Sequence, residues 1–200
     1  MQGKTKKKEH SETHKSYEEN KKRCFISINI PKEVSNKIEK IQNSLPDFNG
    51  KKTETENLHL TLKFLGEIKE EEIDKIKDIL RNIKFSKFEL RAGELGAFSP
   101  KFIRIIWLHL IGGEELQKKI DKEISTKFEK FGKEKRFMSH LTIARVKSLK
   151  GENKENFLEK LNSIKIPKIS FPVKEFCLMS SELTPEGAKH RVIERFGLVD

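Results

Sequence analysis

Two short stretches of this chain carry residue types that do chemistry, at a spacing chemistry can use. Leu58-His59-Leu60-Thr61-Leu62-Lys63 and Ser139-His140-Leu141-Thr142-Ile143-Ala144-Arg145 both read as strands with their apolar residues on one face. Each histidine then shares the other face with the threonine two residues on, and strict alternation adds Lys63 to that face in the first copy. With six histidines in the chain, about a quarter of one His-x-Thr triplet is expected by chance, so one copy says little and two on matching strands say much. Imidazole titrates at about 6.5, so of two facing histidines one can take up a proton while the other gives one. A threonine hydroxyl beside each can donate to an anionic oxygen, and two of them can hold both non-bridging oxygens of a phosphodiester. This is acid–base catalysis of an in-line displacement, and it requires no metal and no other cofactor. Two histidines without Asp, Glu or Cys at ligand spacing make a poor divalent site.

The elements that must position these residues can be read from periodicity. Residues 24–30 form a strand that Pro31 ends while opening a helix, whose face is Val34, Ile38, Ile41 and Leu45. Residues 46–52, with Asn49-Gly50, read as a turn-rich loop before the first His-Leu-Thr strand, which Gly66 closes. Ile73, Ile76, Leu80 and Ile83 mark a second helix, and Phe88, Leu90 and Ala92 alternate as a strand. After a loop over 93–102 the order repeats: a strand over 103–110, a helix through Leu116, Ile120, Ile124 and Phe128, and the second His-Leu-Thr strand. A shorter helix through Phe157, Leu161 and Ile164 follows, then a strand over 172–179 and a last one over 191–199. The duplication predicts an α+β fold of two pseudo-symmetric lobes of antiparallel sheet, helices on the outer faces and an active-site cleft between the lobes. Residues 23–200 form this single bilobal domain, and residues 1–22, polar and basic with Lys4, Lys6, Lys7 and Lys8, read as a flexible tail.

Composition bounds the partners. At 200 residues, 34% hydrophobic and 36% charged, the chain can bury a good core under a heavily solvated surface. No apolar run approaches the roughly 20 residues that span a bilayer, and the polar start lacks the apolar core of a signal peptide, so a cytoplasmic monomer with no membrane contact is expected. The net charge of +11 favours an anionic partner, although much of the lysine stands beside glutamate on solvated helix faces. Cys24 and Cys177 lie in apolar strand-like runs and read as buried free thiols.

Residues 23–199 resemble the 2H phosphoesterase superfamily and, within it, the RNA 2′,3′-cyclic phosphodiesterase (2′-5′ RNA ligase) family. The resemblance rests on Arg23-Cys24-Phe25-Ile26-Ser27-Ile28, the run from Glu56 to Gly66, Arg104-Ile105-Ile106-Trp107, Phe137, the run from His140 to Lys147, and Leu178-Met179-Ser180-Ser181-Glu182-Leu183. It implies hydrolysis of a terminal 2′,3′-cyclic phosphate of RNA to a 2′-phosphate, with His59 as proton donor, His140 as proton acceptor, and Thr61, Thr142 and Arg145 on the phosphate. Arg145 stands at an odd offset from His140, so a bulge must re-aim it. Lys63 and His190 are candidate RNA contacts; His190 stands where the family tends to have tyrosine, and Ser139 where proline is common. Trp107 and Phe64, amid apolar neighbours, read as core, and His109 receives no role. Two other readings stand beside this one: a 2H phosphodiesterase acting on another small cyclic or 2′-5′ nucleotide, and a non-catalytic basic RNA-binding module.

Overall fold

The apolar periodicities become nine strands and four helices in a computed structural model that describes residues 21–98, 102–151, 153–185 and 187–200. The chain runs β1 (Lys21–Asn29), α1 (Lys32–Asn43), β2 (Phe48–Lys52), β3 (His59–Lys69), α2 (Glu70–Arg81), β4 (Phe88–Phe98) and β5 (Ile105–Ile111). It continues through α3 (Glu114–Lys127), β6 (His140–Leu149), α4 (Lys154–Ser163), β7 (Ser170–Val173), β8 (Glu175–Thr184) and β9 (Gly187–Gly197). Residues 1–20 of the expected tail lie outside the described residues, and β1 takes in Lys21 and Lys22.

All strands join one curled antiparallel sheet in the order β7-β4-β5-β6-β3-β1-β8-β9, with β2 added to β6. The fold is α+β and bilobal: β1, β3, β8 and β9 make one lobe, and β2, β4, β5, β6 and β7 the other. Between the two lobes the sheet is joined where β3 and β6 pair, at Leu60 and Leu141. They do not coincide with the sequence halves. β4 leaves the first half to pair with β5 and β7, and β8 leaves the second to pair with β1 and β9. β2 of the first half likewise pairs with β6, and β9 of the second stays with β8, so each half lends two strands to the other lobe.

One face of the sheet carries the core. Ile26, Ile28, Leu60, Leu62, Ile106, Leu108, Leu141 and Ile143 pack there against Ile38, Ile76, Ile120 and Leu161 of the four helices. The opposite face carries a small separate cluster of Phe25, Cys177 and Met179. Burial pushes the thiols of Cys24 and Cys177 up to about 11, so both stay protonated packing groups outside any disulfide. No helix among the described residues is long and apolar enough to cross a membrane.

Three local expectations are corrected. Residues 48–52 are strand β2 rather than loop, because Gly50 serves an approach and not a turn: a Cβ there would lie 2.1 Å from the Arg145 carbonyl oxygen. Residues 93–98, expected as loop, continue β4 through Phe98, because Gly93 and Glu94 form a bulge within the strand instead of ending it, and residues 99–101 of that expected loop lie outside the described residues. The strand expected over 172–179 is two strands parted at Lys174, and they serve different lobes.

Candidate active site

The seam between the lobes brings the two motifs together. Antiparallel pairing of Leu60 with Leu141 sets His59 opposite Thr142 and Thr61 opposite His140, so each imidazole faces the other strand's hydroxyl. The leucines point into the core with no exposure, and the four polar side chains lie on the other face, partly exposed.

A bulge follows each threonine. In β3, Ser27 pairs with Thr61 and Ile26 with Lys63, leaving Leu62 as the extra residue. In β6, Trp107 pairs with Thr142 and Ile106 with Ala144, leaving Ile143 extra. One extra residue reverses the alternation beyond it. Arg145 is thereby turned onto the histidine face, as its odd offset requires, and its charge acts on both His59 and His190.

The same reversal overturns the expectations for Lys63 and Phe64. Lys63 turns under the sheet, 6% exposed, where its Nζ donates to Asp121 Oδ1 of α3 at 2.5 Å and to the Gly132 carbonyl at 3.0 Å. Asp121 also accepts from the Glu134 amide, so the ammonium is committed to structure and is no RNA contact. Phe64 is not core: it is 74% exposed, on the histidine face, with its ring 6.4 Å from that of Phe25. The residue five after each histidine is thus an exposed phenylalanine in one lobe and an exposed arginine in the other. The signal that could have found this is the adjacent apolar pair Phe64-Leu65 after Lys63, which strict alternation does not accommodate.

Both imidazoles are oriented by the same device. His59 Nδ1 lies 2.7 Å from the Asn57 carbonyl oxygen and His140 Nδ1 2.8 Å from that of Met138. A carbonyl only accepts, so each Nδ1 carries hydrogen and each Nε2 is left for proton exchange. Aromatic rings hold the flanks. Phe25 and His190 contact the His59 ring at 4.9 and 5.0 Å, and the Phe98 ring stands at 90° to His140 at 4.9 Å. His190 therefore packs beside His59, and its buried Nδ1 has no hydrogen-bond partner among the described residues. Trp107 leans on Phe98 at 5.4 Å, over Gly96, where a Cβ would meet its ring at 2.2 Å. Phe98 gave no sequence signal, because it lies in the stretch read as loop.

Burial, followed by the nearby His190, Arg145 and His140, holds His59 down at about 4 against the pull of its Asn57 hydrogen bond. His190 is lowered too, by burial and by Arg145. Among the described residues no cluster of His, Cys, Asp and Glu could hold a metal ion.

Two histidines, each two residues from a threonine, on adjoining strands at the seam of a two-lobed α+β fold define a 2H phosphoesterase. Residues 28–107 and 114–190 match the family described as LigT like Phosphoesterase. The chain belongs to that family of enzymes. It is 34% identical over 178 residues to a protein of Methanocaldococcus jannaschii named RNA 2′,3′-cyclic phosphodiesterase, covering 87% of this chain and 99% of that one. A protein of the same name from Methanothermobacter thermautotrophicus is 32% identical over 189 residues, covering 89% and 100%. The crystal structure of TT0787 of Thermus thermophilus superposes with a TM-score of 0.72 at 26% identity, over 88% of this chain and 97% of that one. E. coli LigT complexed with 3′-AMP shares the fold, with a TM-score of 0.70 at 22% identity, over 90% and 100%.

Proposed function

We propose that this enzyme hydrolyses 2′,3′-cyclic phosphate ends of RNA to 2′-phosphates. The observation that carries the reading is the pair of imidazoles with Nδ1 tied to carbonyls at 2.7 and 2.8 Å and a threonine opposite each. The names of the relatives supply the substrate class. Thr61 and Thr142 donate to the non-bridging oxygens, and Arg145 balances the phosphate charge. His140 Nε2 takes a proton from water as the water oxygen bonds to phosphorus. The bond from phosphorus to O3′ breaks, and His59 Nε2 protonates the leaving O3′, so one proton enters and one leaves the protein. The product is a 2′-phosphate beside a free 3′ hydroxyl.

The lobes' differing fifth residues support this assignment of donor and acceptor. The exposed Phe64, backed by the buried Phe25 that packs on His59, offers an aromatic surface that suits the base of the terminal nucleoside and brings its ribose oxygens to that histidine. A phosphodiester anion bound between the strands raises the proton affinity of His59, which burial lowers in the free enzyme, and so loads the acid on binding. The same steps in reverse join a 5′ hydroxyl to a cyclic end as a 2′-5′ linkage without ATP, and water at about 55 M keeps hydrolysis dominant.

The test is turnover of a short RNA ending in a 2′,3′-cyclic phosphate, with the product end identified. His59→Ala and His140→Ala are each expected to lower kcat by about 100-fold or more while the fold is kept. Full activity of either folded variant would refute the reading.

A further inference from the structure

Beyond Arg145, the second lobe carries a group of side chains that the reaction at the seam does not use. Ile105 is the register partner of Arg145, so the segment 102–104 begins one residue past the phosphate-binding arginine at the same end of β5 and β6. Phe102 is 67% exposed there, and the Arg104 guanidinium lies over its ring at 5.9 Å. Two backbone links fix the segment to β6: the Val146 amide donates to the Arg104 carbonyl at 2.9 Å, and Arg104 Nη1 donates to the Lys147 carbonyl at 3.0 Å. Arg104, Arg145 and Lys147 are all exposed, adjoin one another, and have no carboxylate partner among the described residues. Elsewhere on the surface Arg81, Lys77, Lys118 and Arg195 are paired with carboxylates. Three neighbouring cations without a carboxylate partner, one of them over an exposed aromatic ring, repel one another unless an anion joins them.

Resting on the proposed function, we infer that Phe102, Arg104 and Lys147 form a subsite for the single-stranded RNA upstream of the cyclic end, Phe102 stacking a base and the two cations holding backbone phosphates. A polyanion with flat bases matches this surface, because stacking on an aromatic ring needs no particular base and the charges follow the backbone. The subsite lets the enzyme discriminate between an RNA end and a free cyclic mononucleotide, which presents the same phosphate to the seam and nothing beyond it.

The experiment compares kcat/KM on a mononucleoside 2′,3′-cyclic phosphate with that on a single-stranded oligoribonucleotide ending in the same cyclic nucleotide. Wild-type protein is expected to prefer the oligomer. Phe102→Ala and the pair Arg104→Ala with Lys147→Ala are expected to lower kcat/KM on the oligomer by about 10-fold and to leave the mononucleotide unchanged. Equal loss on both substrates, or none on the oligomer, overturns the subsite. Fluorescence anisotropy with a 2′-phosphate-ended oligomer reads the subsite independently of turnover. If neither cyclic substrate is opened, the proposed function fails, and the subsite stands or falls on whether the same variants weaken that binding.

Discussion

His59 and His140 are each followed by Leu-Thr in sequence and have different surroundings in space. The burial that holds His59 at about 4 has a thermodynamic consequence in the free protein. Between about 4 and its ordinary 6.5 the unfolded chain binds a proton at this position that the folded chain excludes, so stability rises with pH through that window; on acidification it is lost down to about 4, below which His59 is protonated in both states and adds no further change. His190, lowered for the same reason, acts in the same direction. An NMR titration of the imidazoles checks this: the His59 midpoint is expected near 4 in free protein and clearly higher with inorganic phosphate bound. A midpoint near the ordinary value in free protein, or one that phosphate lowers, would contradict the account of how the acid is loaded.

The bulge is the element on which the site depends. It costs β3 and β6 one ladder position each, and it turns the fifth residue after each histidine onto the working face. In β3 the reversal also sends a lysine under the sheet, tolerable only because Asp121 and the Gly132 carbonyl receive it. Lys63→Met leaves the Asp121 carboxylate buried without its cation, and a loss of about 3–5 kcal/mol is expected in denaturant unfolding. Loss of less than about 1 kcal/mol would mean that the pair is not buried as described. In β6 the neighbour that matters is β2, whose Gly50 lies against the Arg145 carbonyl. Gly50→Ala forces the two strands apart, with about 2 kcal/mol of stability expected to go and the midpoint of thermal melting to fall by about 4–8 °C.

At the scale of the whole molecule, the exchange of β4 and β8 makes the lobes interdependent. A fragment of residues 1–102 contains β4 without β5 or β7, and one of residues 103–200 contains β8 without β1. Neither is expected to melt cooperatively by circular dichroism when expressed alone, since each lacks the strands that cover its core. A sigmoidal transition in either isolated fragment would show that the halves fold as units after all.

The order of elements, the family resemblance and the two His-x-Thr pairs were legible along the chain, because alternation within one strand is a local property that side-chain chemistry displays directly. The odd offset of Arg145, and with it the need for a bulge, was legible there too. Everything that depends on a neighbouring strand came from the fold: that Leu62 and Ile143 are the extra residues, that Lys63 lies beneath the sheet while Phe64 stands 74% exposed on its face, and that the duplicated halves exchange strands. A bulge is defined by register against a partner, and a partner is chosen by nonlocal pairing. Alternation within the strand cannot by itself reveal where that pairing slips by one.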